Sequence, residues 1–248
     1  MKIEFFKYQA TGNDFIIVDN TKYNFEENKK KRLSELCKRH FKIGADGIIF
    51  FEEGNLFSMS YYNSDGTRAE ICGNGARSIV KFFLDQNKVK IKEFEFETDI
   101  GKMKTKIDET IWVLFPMPVV KKTVEVNGIK GFLVNSGVPH FIVQTENVEK
   151  IDVAKEGRRI RFSKVFNKEG TNVDFIEIKT NKVRVYERGV ESETLSCGSG
   201  AIAISSYYKK NMLLFFHGGT LKTKIEKEGI WLGGDATFVF QGSIEFYF

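Results

Sequence analysis

The chain has 248 residues, of which 42% are apolar, and a formal net charge of +5 at pH 7. This composition is typical of a globular protein and excludes a disordered chain. The basic residues are scattered among 33 acidic ones, with Lys29–Arg32 as the only basic run of four, so the charge argues against nucleic-acid binding and fits a solvated surface or an anionic small substrate.

Targeting signals and disulfides are not expected. The first 17 residues lack a basic segment followed by a long apolar run, and no apolar run in the chain is longer than that of Met212–Phe216. We therefore expect no signal peptide, no membrane span and a cytoplasmic location. Three cysteines are an odd number, which predicts reduced thiols.

In chain order, the predicted elements begin with Thr11–Val18, where a glycine turn leads into an apolar strand. Gly44-Ala45-Asp46 precedes a second apolar strand, and Cys72–Ala76 precedes residues at helical spacing. Phe94–Ile107 alternates in the manner of a hairpin, with Asp99-Ile100-Gly101 as its turn.

The same signals recur in the same order in the second half. The matching segments are Ser136–Val143, Gly170-Thr171-Asn172, Cys197–Ala201 and Lys222–Ile225, the last repeating Lys104–Ile107 letter for letter. One match could arise by chance, but four in one order indicate an internal duplication. The stretch Ala201–Ile204 is apolar all round and predicts a buried helix.

We therefore predict an α+β fold of two like domains, each with strands, a cysteine-bearing glycine loop, a central helix and a hairpin. Two prolines in Pro116-Met117-Pro118 suit a connector. The predicted domains are residues 1–117, completed by a last strand at about 237–248, and residues 118–236.

The two cysteine loops suggest acid/base chemistry. A cysteine at a helix N-terminus is stabilised as the thiolate, and the glycines beside it leave N–H groups open to bind a carboxylate. Two such loops around one substrate would let Cys72 and Cys197 remove and return a proton on opposite faces of a carbon. A lone cysteine before a helix is more often a small buried hydrophobe, but the repetition favours function.

Other roles for these residues are less favoured. There is no C-x-x-C and the three histidines lack short ligand spacing, so no metal is expected. Cys37 lacks the glycine loop and is interpreted as structural. Asn13, Asn63 and Asn172 could be turn residues, and Arg77 could face solvent.

The combination of phrases resembles the diaminopimelate epimerase family over residues 5–242. The phrases are Thr11-Gly12-Asn13-Asp14-Phe15, Asn63-Ser64-Asp65-Gly66, Cys72-Gly73-Asn74-Gly75-Ala76-Arg77, Glu187-Arg188-Gly189 and Cys197-Gly198-Ser199-Gly200. The resemblance implies interconversion of LL- and meso-diaminopimelate without a cofactor, for lysine and peptidoglycan precursors. It also implies two pseudosymmetric domains, each a curved sheet or barrel around a central helix, a cleft active site and commonly a homodimer.

The resemblance also implies residue roles. Cys72 and Cys197 would be the catalytic pair, and His140 and Glu187 would tune the thiol pKa values. The reacting carboxylate would be held by the amides of Gly73, Asn74, Gly198 and Ser199. Asn13 and Glu187 would lie near the reacting ammonium, and the distal end would be recognised by Asn63, Asn172 and Arg188.

The chain departs from the family pattern in places that concern the pocket. Val138 replaces an Asn of some members, Gly47 replaces a Gln, and Asp235 stands where Pro is usual. Three alternatives stay open: a two-cysteine racemase or epimerase of proline or hydroxyproline, a non-catalytic amino-acid-binding protein and a thiol redox protein.

Overall fold

The computed structural model describes residues 2–23, 30–69, 71–166 and 169–245. The chain divides into two compact units, one of Met1–Val113 with Gly234–Phe248 and one of Leu114–Gly233. The predicted boundary between the two epimerase halves, at residue 117, stays a prediction. Lys29 of the basic run and residues 246–248 of the predicted last strand lie outside the described residues.

The elements follow one another in an order that repeats. Up to residue 115 they are β1 (Lys2–Ala10), β2 (Asn13–Asp19), α1 (Lys30–Cys37), β3 (Gly47–Glu52), β4 (Ser58–Asn63), β5 (Arg68–Ala69), α2 (Gly73–Asn87), β6 (Glu93–Thr98), β7 (Gly101–Ile107) and β8 (Ile111–Phe115). They continue as β9 (Val119–Val126), β10 (Ile129–Asn135), β11 (Pro139–Gln144), α3 (Val153–Arg161), β12 (Asn172–Glu177), β13 (Lys182–Glu187), β14 (Ser192–Thr194), α4 (Gly198–Tyr208), β15 (Met212–Phe216), β16 (Gly219–Glu226), β17 (Gly229–Gly234) and β18 (Thr237–Glu245). Short 3-10 turns lie at Asn20–Lys22 and Val148–Lys150.

Strand pairing shows the duplication directly. In the first unit β2 is antiparallel to β1 and parallel to β3, and β4 is antiparallel to β3 and β5 and parallel to β6. In the second unit β11 is antiparallel to β10 and parallel to β12, and β13 is antiparallel to β12 and β14 and parallel to β15. Each unit has one further strand beside its first: β18, from the end of the chain, pairs with β1, and β9, which directly precedes β10, pairs with β10.

A central helix lies against the sheet of each unit. Helix α2 packs on β1, β2, β3 and β18, and α4 packs on β10, β11 and β16. Residues Ala201–Ser206 of α4 are all buried, as the apolar pattern predicted. Both helices end at a lysine with left-handed backbone angles, Lys88 and Lys209.

Aromatic side chains fill much of the core of the first unit. Phe57 contacts Phe51, Phe83 and Phe96 with ring centroids about 5 Å apart, and burial of each such ring contributes about 2–3 kcal/mol. Within the described residues, no helix is long and apolar enough to cross a membrane. The predicted α+β class is confirmed.

Candidate active site

Each unit places one cysteine at the N-cap of its central helix. Cys72 precedes α2 and Cys197 precedes α4, and both have an extended backbone, with φ of −124° and −134°. The first N–H groups of a helix carry partial positive charge and favour an anion at this position. The structure therefore gives the two predicted thiols the same place in two like units.

In the first unit, Asn13 lies beside Cys72. Cys72 Sγ is 3.6 Å from Asn13 Oδ1 and accepts a hydrogen bond from the N–H of Gly75 at 3.5 Å. Asn13 Nδ2 donates to Asp46 at 2.8 Å, and this bond fixes the amide, since a carboxylate only accepts. Arg39 donates to Asp46 at 2.7 Å. Asp46 and Arg39 therefore hold the predicted substrate residue Asn13 in place.

A partly buried cluster of charged side chains lies next to Asn13. Lys7 forms an ion pair with Asp14 at 2.7 Å, and Arg39 bonds both Asp14 and Asp46. Burial opposes ionisation of Asp14, but hydrogen bonds from Arg39 and Lys7 outweigh it and lower the pKa of Asp14 to about 2. Burial and the Asp14 charge raise the pKa of Asp46. The sequence reasoning did not place Arg39 or Asp46 at the site.

Arg77 is completely buried, and the prediction that it could face solvent is wrong. Its guanidinium donates to the carbonyl of Gly73 at 3.1 Å and to Asn74 Oδ1 at 2.6 Å. Arg77 lies three residues before the buried Val80, on the face that packs inward. That spacing is the sequence signal that could have shown its burial.

Asn63 and Gly47 face each other across β3 and β4. Asn63 bonds Thr67 through both its backbone N–H, at 2.9 Å, and its side chain, at 3.2 Å, so the structure shows Asn63 as a turn residue. A Cβ at Gly47 would lie 2.6 Å from the ring of Tyr61 and 2.7 Å from the carbonyl oxygen of Tyr62. The departure at Gly47 therefore has a steric reason, because the Tyr61 ring occupies the space.

In the second unit, Cys197 begins a chain of hydrogen bonds. Cys197 Sγ lies 3.3 Å from Ser199 Oγ, which lies 2.9 Å from His140 Nε2. His140 Nδ1 lies 2.6 Å from Asp174 Oδ2. An Asp174 carboxylate must accept from Nδ1–H, which leaves Nε2 of a neutral ring to accept from the Ser199 hydroxyl. The predicted residues His140 and Ser199 are thus brought to the thiol.

Asn172 joins this group to the end of β13. Its side chain lies 3.4 Å from His140 Nε2, donates to the carbonyl of Pro139 at 3.1 Å and accepts from the N–H of Arg188 at 2.8 Å. The guanidinium of Arg188 makes a longer contact with Glu169, at 3.5 Å. Glu187 accepts a hydrogen bond from the hydroxyl of Thr194.

Electrostatics in the second unit favour the neutral thiol. Burial, followed by the charges of Glu187 and Asp174, raises the pKa of Cys197 well above its usual range. Burial also raises the pKa of Glu187. The physical cause is the same in both cases, because a low-dielectric setting disfavours the charged form and like charges add to the effect.

Asp174 is a further site residue that the sequence reasoning missed. It is completely buried and belongs to the apolar strand β12, on the same face as Asn172, two residues before it. A Cβ at Gly200 would lie 2.3 Å from Asp174 Oδ1, so the glycine after Ser199 makes room for this carboxylate. An acidic residue inside an apolar strand is the signal that could have identified it.

Comparison with known proteins places the chain in a family. The profile of the diaminopimelate epimerase family matches residues 5–120 and 132–239. The chain belongs to the diaminopimelate epimerase family. It is 41% identical over 237 residues to a diaminopimelate epimerase of Thermotoga maritima, covering 92% of this chain and 96% of the relative. It is 37% identical over 271 residues to one of Hydrogenobaculum sp., covering 97% and 98%.

Solved structures share the fold of this diaminopimelate epimerase family member. A phenazine biosynthesis protein of the PhzF family from Bacillus anthracis matches with a TM-score of 0.77 and 15% identity, covering 99% of this chain and 100% of that one. A probable proline racemase from Agrobacterium radiobacter, with bound carbonate, matches with a TM-score of 0.72 and 10% identity, covering 98% and 93%. The predicted duplicated α+β fold and the predicted family are confirmed, and the chain is an enzyme of the epimerase class.

Proposed function

We propose that this enzyme interconverts LL- and meso-2,6-diaminopimelate without a cofactor, with Cys72 and Cys197 as its two acid/base groups. The observation that carries the proposal is one N-cap cysteine on the equivalent helix of each duplicated unit, in a chain that belongs to the diaminopimelate epimerase family. The product would serve lysine and peptidoglycan precursor synthesis. We also propose a homodimer in the cytoplasm.

The proposed reaction inverts one α-carbon. The open N–H groups of the two helix N-termini, at Gly73, Asn74, Gly198 and Ser199, would hold the reacting carboxylate. One sulfur takes the α-proton as a thiolate, and the other returns a proton to the opposite face as a thiol, so the two must differ in protonation. The raised pKa of Cys197 supports its entering as the acid, with Cys72 as the base. The reverse reaction exchanges the roles.

Substrate recognition is proposed from the residues around each thiol. Asn13 and Glu187 would lie near the reacting ammonium, and His140 and Glu187 would tune the thiol pKa values. At the distal end, Asn63, Asn172 and Arg188 would bind the second amino-acid group. The bond between Asn172 and the backbone N–H of Arg188 supports this, because it fixes the main chain that carries a guanidinium whose planar fork suits a carboxylate. A ring substrate such as proline has no such distal group.

The test is turnover of LL-diaminopimelate in deuterium oxide without added cofactor. We expect meso product with deuterium at the inverted α-carbon and no comparable turnover of L-proline or hydroxyproline. Cys72→Ala and Cys197→Ala should each lower kcat by at least about 10²-fold, the lower end of what a positioned acid/base group contributes. Product without deuterium, or near-normal activity in either variant, would contradict the proposal. A binding or redox protein would exchange no α-proton.

A further inference from the structure

Arg77 is a buried cation below the first turn of α2. None of its surface is exposed to solvent. Its guanidinium bonds are to neutral oxygens: the carbonyl of Gly73 at 3.1 Å, the side-chain oxygen of Asn74 at 2.6 Å and the hydroxyl of Thr11 at 3.2 Å. Its Nε has no hydrogen-bond partner within the described part of the chain.

Such a cation needs a nearby anion. Burying a guanidinium is strongly unfavourable unless an opposite charge compensates it, and burial lowers the pKa of Arg77 to about 10. Within the described residues, no carboxylate forms an ion pair with Arg77. The groups whose negative charge acts on it are Cys72 and Asp235.

Of these two groups, Cys72 is placed to be the compensating anion. Asp235 is exposed, so water screens its charge. Arg77 bonds the carbonyl of Gly73, the residue directly after Cys72. Long side chains of a helix point back toward its N-terminus, so the guanidinium lies level with the turn that Cys72 caps.

The duplication supplies an internal comparison. The residue that corresponds to Arg77, five positions after Cys197, is the buried Ile202. Cys197 instead has the carboxylates of Glu187 and Asp174 as charged neighbours. The two thiols thus share a backbone setting but differ in the sign of the charge around them.

We propose that Arg77 is a positioning residue of the epimerase reaction, which stabilises the thiolate of Cys72 and makes Cys72 the base in the free enzyme. This inference rests on the proposed function, in which one thiol must start as thiolate. It would assign the initial roles of the two cysteines, since Cys197 remains the thiol.

The other groups around Cys72 modify this effect. The N–H of Gly75 donates to the sulfur and favours the thiolate, whereas Asn13 Oδ1 accepts from the thiol and favours the neutral form. Asp46 accepts a hydrogen bond from Asn13, and a negative charge there opposes a negative sulfur. The Arg77 charge is therefore expected to decide the balance.

The test measures the Cys72 thiolate by its ultraviolet absorbance across pH in the Cys197→Ser variant, without substrate. Cys37 stays silent at neutral pH, because burial raises its pKa to about 12. We expect Arg77→Gln to raise the titration midpoint of Cys72 by about one pH unit, which lowers the thiolate-to-thiol ratio at a given pH roughly tenfold. Arg77→Lys keeps the charge and should retain most of the thiolate.

The matched control is Arg161→Gln, which removes an arginine of similar burial from α3. Arg161 pairs with Glu191 at 2.9 Å, and its loss should leave the Cys72 titration unchanged. An Arg77→Gln variant that folds, as judged by circular dichroism, and titrates as the parent does would overturn the proposal.

A second measurement does not depend on the folding of Arg77→Gln. In the Cys197→Ser protein with ¹⁵N-labelled arginine, the Arg77 resonances should shift with the same pH midpoint as the thiolate absorbance. This shift should vanish when Cys72 is also replaced by Ser, and its persistence there would overturn the proposal. Both readouts use the free enzyme, so they can succeed or fail independently of the deuterium test of the epimerase function.

Discussion

At the residue scale, the two thiols differ although their backbone settings match. Cys197 is buried, and the charges of Glu187 and Asp174 raise its pKa further. Cys72 has Asn13 at 3.6 Å and the buried cation Arg77 in its own helix. Since a two-base epimerisation requires one thiol and one thiolate, this difference is what the proposed reaction needs at its start.

The first prediction concerns Glu187. In the Cys72→Ser background, Glu187→Gln removes a negative charge next to Cys197, so the pKa of Cys197 should fall and more thiolate should form at a given pH. The pKa of Cys197 is raised in the folded enzyme, so thiolate appears only as the pH becomes alkaline, and the variant should move this onset to lower pH. Ultraviolet absorbance of the thiolate measures it.

The control for this prediction is Glu193→Gln, which removes a carboxylate that Arg184 pairs at 2.6 Å. We expect it to leave the Cys197 onset in place. A Glu187→Gln onset that stays unchanged, or moves to higher pH, would show that the charge of Glu187 does not act on this thiol.

At the element scale, the glycines in the third position of the two helices have different neighbours. A Cβ at Gly200 in α4 would lie 2.3 Å from Asp174 Oδ1, and the Asp174 carboxylate is tied to His140. A Cβ at Gly75 in α2 would lie 3.3 Å from the end of the Ile49 side chain, which can move. The equivalent glycines of the repeated phrase therefore differ: a side chain at Gly200 would collide with Asp174, whereas one at Gly75 would meet only the movable end of Ile49.

The second prediction follows from this pair. Gly200→Ala should destabilise the protein by about 1–3 kcal/mol, because overpacking displaces Asp174 and the hydrogen bond to His140. Gly75→Ala should be nearly neutral, since the higher helix propensity of alanine, at most about 1 kcal/mol, offsets a small adjustment of Ile49. Urea unfolding of both variants measures the difference. Equal costs would mean that Asp174 moves freely.

At the scale of the whole molecule, the first unit is completed by the end of the chain. Residues Lys2–Phe5 of β1 pair with β18 and not with β2, which pairs from Phe6 onward. Phe238 contacts Tyr8 and Phe240 contacts Phe5, with ring centroids 5.4 and 5.9 Å apart. The equivalent place in the second unit is taken by β9, which directly precedes β10.

The third prediction is that truncation after Ala236 affects one unit selectively. The amides of β1 that lose β18 should exchange with solvent faster, because their strand partner is gone. Amides of β10 and β11 in the second unit should keep their protection. Hydrogen–deuterium exchange of the full chain and the truncated chain tests this, and uniform loss of protection in both units would contradict it.

Much of the architecture could be predicted because its signals are local. The phrases at Cys72 and Cys197 combine a capping residue, glycines and an apolar helix, and the hairpin turn at Asp99 and Ile100 lies where the alternation of β6 and β7 breaks. Arg77 and Asp174 could not be placed in this way. Their roles depend on which face of the helix or strand is buried and on which side chains contact that face. Both are set by tertiary packing between segments that are distant in the chain.

The sequence by itself determined the duplication, the two cysteine loops, the α+β class and the resemblance to the family, because each is written in short segments whose order repeats. Only the tertiary structure decided that Asp174 and Ser199 connect to His140, that the Tyr61 ring leaves no space beside Gly47, and that Arg77 is buried against the first turn of α2. The physical reason is that burial and charge proximity are properties of residues distant in the chain. Two like loops therefore become chemically different when unlike neighbours surround them.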